Sequence, residues 1–279
     1  MTRESRTTLA RPALAARALE GLVRAAAFAD TTAFQVVVPA TAQRAGPDDR
    51  AEQVNQLLFG ETFDVLEAVG DYVWGQARRD GYVGWMAADA LDKPIMAPNH
   101  GVKVLRTAAF TTPSIKSSVW GLLSLNALVA VTDTDGDMAL IAGAGWVAAR
   151  HLAPIGTDLA EPAAAAELFI GAPYVWGGRD SLGLDCSGLV QQALFAAAVG
   201  CPRDADQQSQ LGRAVDPSDL RRGDLVFWPG HVGMMVDRTR LLHANAHHMA
   251  VAVEPLADAV QRIAAAGAGR PSAYRRLAF

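Results

Sequence analysis

The feature that most constrains this chain is an internal echo. Val65 followed by Gly70-Asp71 is answered by Val131 followed by Gly136-Asp137 at a constant offset of 66, and Gly84-Trp85 by Gly145-Trp146 at an offset of 61. The second copy has therefore lost five residues from a loop. Recurrence of this kind marks two copies of one structural unit. Within them the apolar runs are short and β-type. Phe34-Gln35-Val36-Val37-Val38, Thr62-Phe63-Asp64-Val65-Leu66 and Tyr82-Val83-Gly84-Trp85 are broken by Gly and Asp. Short strands with frequent turns predict compact β-barrels, one over 33–97 and one over 98–155.

The flanks read differently. Leu9, Leu14, Ala18, Leu22 and Ala25 fall at roughly helical spacing with basic residues between them, which predicts an N-terminal helical segment over 1–32. Arginines run through that stretch and leave no uninterrupted apolar core for a signal peptide. No apolar run reaches the ~18 residues of a membrane span. With 51% hydrophobic residues, 19% charged and a net charge of −4, the chain can bury a sizeable core. That charge offers no general attraction to nucleic acid or anionic membrane. Two cysteines, Cys186 and Cys201, are too few for a disulfide scaffold or a structural zinc site. A cytoplasmic location and no metal or other cofactor are the expectations. Pro154 to Pro162 reads as a linker. Beyond it, helices precede strands, so 156–279 is expected to be an α+β domain.

Chemistry concentrates in that last span. Pro173-Tyr174-Val175-Trp176-Gly177-Gly178 is followed, after a short loop, by Leu184-Asp185-Cys186-Ser187-Gly188-Leu189-Val190. Leu189, Val190, Ala193, Leu194 and Ala197 form a helical stripe. Asp185 can cap its start, which puts Cys186 in the first turn, where free amides and the helix dipole favour a thiolate. The bland alternative is a small buried hydrophobe, and for Cys201, just before Pro202, that reading is the better one. Further on, strands are expected from Leu225, from His231 and from Leu241. His231 and His243 then lie on adjacent antiparallel strands. They share a face only if the pairing has an even residue sum, which a loop of three or five residues provides. In that geometry His231 can take the thiol proton while His243 fixes its tautomer. His247 and His248 could join His243 in binding a metal. Without a nearby Cys or carboxylate cluster, a solvated loop is the preferred reading.

Tyr174, Asp185-Cys186-Ser187-Gly188-Leu189-Val190, Arg222-Gly223-Asp224, Gly230-His231-Val232-Gly233 and His243-Ala244 resemble the NlpC/P60 family in order and spacing, as does Pro202-Arg203-Asp204 with Gln207-Gln208. The two repeats resemble bacterial SH3 (SH3b) domains, in which a Gly-Asp-aromatic hairpin precedes a Gly-Trp-Val strand; Met138 stands where the second copy would carry the aromatic. The resemblance implies an α+β, papain-like catalytic domain preceded by two small β-barrels. It implies a cysteine peptidase with Cys186, His231 and His243 as catalytic residues. The Cys186 amide and the Tyr174 hydroxyl would form the oxyanion hole, and Asp185 and Ser187 would bind a free amino terminus. The implied partner is a peptidoglycan stem peptide, L-Ala-γ-D-Glu-diamino acid, cleaved after D-Glu. The tandem order is similar to that of the family's dipeptidyl-peptidase VI branch, which acts in murein peptide recycling and gates its cleft with the first SH3b domain. Those contacts would fall near Glu52 and Tyr82, and Glu61 reads as a solvated turn residue. A hydrolase of intact wall, a non-catalytic wall-binding protein and a permuted acyltransferase are the alternatives. The last is disfavoured because Cys186 precedes both histidines.

Overall fold

The structure, a computed structural model, describes residues 4–157 and 159–277. Asp158, inside the expected linker, and the chain's extreme ends lie outside the described residues. The chain divides into two compact units, Met1–Ile155 and Gly156–Phe279.

The first unit opens without the expected helix. Its described start has short 3-10 turns at Ser5–Thr7 and Arg17–Leu19, and a parallel pair of strands, β1 (Leu14–Ala16) and β2 (Ala27–Ala29). Pro12, which has no amide hydrogen, and Gly21 at φ +77° interrupt the segment. The apolar residues are also spent differently. Leu9 and Ala16 pack on Trp74 and Trp85, whereas Leu22 is exposed. Arg11 lays its guanidinium over the Trp74 ring at 3.9 Å and pairs with Glu67.

The first barrel comprises β3 (Thr32–Val36), β4 (Ala40–Arg44), β5 (Gln53–Leu58), β6 (Thr62–Val69), β7 (Tyr72–Ala77), β8 (Val83–Ala87) and β9 (Leu91–Asp92), ordered β5-β4-β8-β7-β6-β3-β9. The next stretch repeats it with β10 (His100–Val102), β11 (Arg106–Phe110), β12 (Val119–Ser124), β13 (Leu128–Val129), β14 (Val131–Asp135), β15 (Met138–Ile141), β16 (Gly145–Ala148) and β17 (Leu152–Pro154). Its order β12-β11-β16-β15-β14 follows β5-β4-β8-β7-β6, while β10 stands between β13 and β17 in a separate three-stranded sheet. The repeated Gly-Asp is the two-residue hairpin loop between β6 and β7 and between β14 and β15. Gly70 and Gly136 take φ of +57° and +55° there, a conformation glycine adopts freely. The missing residues fall in the following hairpin, which closes at Gln76↔Val83 in the first copy and at Ile141↔Gly145 in the second.

The two repeats meet at β5's end. Leu57 enters the first core with Val36, Phe63 and Met86; Leu58 enters the second with Val102, Leu123, Ile141 and Val147. Alternation along a strand sends neighbours to opposite sides. Leu128 donates its amide to Phe59 O at 3.0 Å, and a Cβ on Gly60 would stand 1.8 Å from Leu128 O. Glu61 is no solvated turn residue. It is 1% exposed and paired at 2.9 Å with Arg79, which also donates to Asn126 O.

The second unit holds α1 (Pro162–Glu167), the hairpin β18 (Arg179–Asp180) and β19 (Gly183–Leu184), α2 (Cys186–Ala196), α3 (Ala205–Gln208), and strands β20 (Arg213–Ala214), β21 (Leu225–Trp228), β22 (His231–Met235), β23 (Arg240–Asn245) and β24 (Ala250–Pro255). Helix α4 (Leu256–Ala265) and β25 (Ala273–Arg276) complete it. The antiparallel sheet runs β20-β25-β21-β22-β23-β24. Helix α2 packs against β22 and β23 and is buried along almost its whole length. Helix α4 is amphipathic, and Ala259, Val260 and Ile263 cover Val226, Trp228, Met235 and Leu241. Among the described residues no helix is long and apolar enough to cross a membrane.

Candidate active site

Asp185 caps α2 through the Gly188 amide at 2.7 Å, as its sequence position predicts. Its other oxygen accepts from Gly177 N at 2.8 Å, which draws the 173–184 loop onto the helix start. Close approach there needs glycine: a Cβ on Gly188 would lie 2.3 Å from Gly178 O. Arg203, 1% exposed, donates to both Asp185 oxygens at 3.0 and 2.6 Å and to Ser187 Oγ at 2.8 Å. Gln208 donates to Ser187 O and Pro202 O. The loop after α2 is thereby tied to its first turn. The sequence drew Arg203 and Gln208 into a motif without a task; here they brace the helix start.

Cys186 is buried, with backbone amides of Val232 and Ser187 directed at its sulfur. Val232 directly follows His231 in β22, so the thiol meets the sheet beside that histidine. The acidity differs from the expected depression. Burial, then the Asp185 charge, push the thiol up to about 12, and the amides and Arg203 oppose them only in part. Cys201 is also buried, and its thiol donates to Pro202 O at 3.4 Å.

The pairing Met234↔Leu242 and Met235↔Leu241 leaves a five-residue loop, one of the two permitted lengths. Both imidazoles accordingly face one side, and His231 Nε2 lies 2.8 Å from His243 Nδ1. The next link was missed. Glu254, opposite Leu241 across β23–β24, places Oε1 2.7 Å from His243 Nε2, and Arg262 of α4 contacts the same oxygen. Alternation in Val251-Ala252-Val253-Glu254 was visible, but the partner strand was not. Burial, followed by the charges of His243 and Arg262, lowers His231 to about 3. Burial likewise lowers His243 to about 4, against the opposing hydrogen bond to Glu254. The Trp228 ring flanks His231 at 5.7 Å.

Tyr174 is half-buried, and burial, then the nearby Cys186 and Asp185, raise its hydroxyl well above the usual tyrosine value. It remains a neutral donor. His243, His248 and Glu254 bring ligand-type atoms within 4.8 Å of one another, and so supply the carboxylate the sequence lacked. The Arg262 guanidinium already occupies that carboxylate, which favours a hydrogen-bonded chain over a cation cage. His248 instead bonds Asn245 Oδ1 from the turn between β23 and β24. Glu52, exposed, and Tyr82, buried, belong to the first compact unit, and the residues described above to the second.

Neutral thiol, neutral imidazole and a neutral hydroxyl donor suit acyl transfer through sulfur. The NlpC/P60 family profile matches residues 171–267, and that of the bacterial dipeptidyl-peptidase Sh3 domain matches residues 44–91. A γ-D-glutamyl-L-lysine dipeptidyl-peptidase of Bacillus subtilis is 30% identical over 74% of this chain and 76% of its own. A dipeptidyl-peptidase 6 of Lysinibacillus sphaericus is 26% identical over 72% of this chain and 83% of its own. The crystal structure of an NlpC/P60 family protein from Bacillus cereus superposes with a TM-score of 0.73 at 21% identity, covering 88% of this chain and 99% of that one.

Proposed function

The chain belongs to the NlpC/P60 family of cysteine peptidases, and on that premise we propose that it cleaves the γ-D-glutamyl–diamino acid bond of peptidoglycan stem peptides bearing a free N-terminal L-Ala. The observations that support the reading are the Cys186 thiol at the start of α2, with the amide of Val232 directed at its sulfur, and the hydrogen-bonded His231–His243 pair, whose first member directly precedes Val232 in β22. The relatives named γ-D-glutamyl-L-lysine dipeptidyl-peptidase and dipeptidyl-peptidase 6 support the choice of bond, and a role in murein peptide recycling is part of the proposal.

In this reading Cys186 attacks the γ-carbonyl carbon while its proton passes to His231. The resulting oxyanion is held by the Cys186 amide and the Tyr174 hydroxyl. His231 then protonates the leaving amine, the C–N bond breaks and a thioester remains. Water, deprotonated by His231, hydrolyses it and restores the thiol. Asp185 and Ser187 are the proposed seat of the substrate's ammonium group. Since Asp185 already accepts two Arg203 bonds, an incoming ammonium would share its oxygens and the Ser187 hydroxyl. Glu52 and Tyr82 remain the first barrel's proposed contacts to the L-Ala end.

The test compares L-Ala-γ-D-Glu-meso-diaminopimelate with its N-acetylated form. Release of L-Ala-D-Glu from the free amine alone is expected, abolished by Cys186→Ala and nearly untouched by Cys201→Ala. Equal cleavage of both peptides would remove the amino-terminus gate, and cleavage of neither would remove the substrate assignment.

A further inference from the structure

We propose that Glu254, held by Arg262, is a positioning residue that selects the tautomer of the His243–His231 pair; this rests on the catalytic reading of Cys186, His231 and His243. A hydrogen bond between two imidazoles has no inherent direction, because each ring nitrogen can donate or accept. The 2.8 Å contact of His231 Nε2 with His243 Nδ1 fits either order. Glu254 removes the ambiguity. An ionised carboxylate only accepts, so His243 Nε2, 2.7 Å from Glu254 Oε1, must carry its ring proton. A neutral His243 then has a bare Nδ1, which accepts from His231 Nε2–H. The bare nitrogen of His231 is therefore Nδ1, free to take a proton from sulfur. In the opposite order His231 would meet the thiol with a proton of its own and could not act as base.

The surroundings keep Glu254 suited to this task. Burial opposes its ionisation, but the hydrogen bond from His243, the Arg262 charge and the Arg262 hydrogen bond outweigh it, holding the carboxyl below its ordinary value. Arg262 has no acceptor, so it fixes an oxygen rather than a donor at this position. It comes from the last turn of α4, which starts directly after the strand carrying Glu254. Among the described residues, other ionisable groups facing the pair include His248, whose ring centre is 6.5 Å from that of His243, and Asp185, which acts on His231 from the start of α2.

The experiment is ¹⁵N NMR of histidine-labelled full-length protein, with steady-state kinetics on the free-amine peptide, for wild type, Glu254→Ala and Glu254→Gln. Wild type should carry the His243 proton on Nε2. Glu254→Ala should shift it towards Nδ1 and lower kcat about 10- to 100-fold with KM little changed, as loss of an orienting partner does elsewhere. Glu254→Gln keeps an oxygen at Arg262 and should restore the Nε2–H tautomer and most of kcat. A wild-type His243 protonated on Nδ1, or Glu254→Ala with unaltered tautomer, overturns the proposal. Turnover that survives Cys186→Ala would instead sink the catalytic reading, while the NMR result judges Glu254 without any turnover.

Discussion

At Cys186 two general tendencies compete. A helix start favours the thiolate, while a buried sulfur next to an aspartate disfavours it. Here burial wins, lifting the thiol to about 12 and lowering His231 to about 3. Each charge is costly alone, so in the proposed reaction the proton would cross from sulfur to nitrogen only as the carbonyl is attacked. Inactivation of the free enzyme by iodoacetamide should therefore be slow at pH 7 and keep climbing towards pH 10, because the reagent reads the fraction of thiolate. A preformed thiolate–imidazolium pair would instead give a plateau from mildly acidic pH upwards, and that profile would contradict the assignment. The sequence could not decide this. It displays the capping Asp185, but the packing that buries the sulfur comes from Val232 and the 173–184 loop, distant in the chain. The facing imidazoles were legible because strand parity is a local rule. Glu254 was not, because its role depends on which strand lies beside β23 and on where α4 returns.

Helix α2 is fixed by a glycine contact as much as by its cap. Gly188 lets Gly178 O approach the first turn, and the added methyl of Gly188→Ala would stand 2.3 Å from that oxygen and 3.1 Å from Asp185 Oδ1. The variant should lose about 1–3 kcal/mol, the usual cost of overpacking. Its kcat/KM should fall as the loop bearing Tyr174 is displaced. Urea melts and peptide kinetics on the same sample check both, and wild-type values in each would show the contact to be slack. Where periodicity misled, the cause is also visible. The spacing of Leu9, Leu14 and Leu22 looked helical, yet Leu9 is used to cover Trp74 and Trp85 and Leu22 is left exposed. Tertiary demand from two tryptophans overrode a weak local preference.

Across the first unit, the repeat was legible because the Gly70-Asp71 and Gly136-Asp137 hairpins need residues that tolerate positive φ. What the repeat concealed is how the copies join. Leu58 and Phe59 belong by sequence to the first barrel and by packing to the second, and the Glu61–Arg79 pair sits beside that seam. Leu58→Ala should cost about 2–5 kcal/mol, as for other buried leucines. Hydrogen exchange on the full chain should show protection falling in β11, β12 and β16 as well as in β5. A loss confined to β5 would mean the barrels are independent. For anyone who would trim the protein, the seam means that cutting away the second barrel strands a leucine and a phenylalanine on bare surface. Such a fragment should clump rather than serve as a portable module, so the two halves should fold and unfold together.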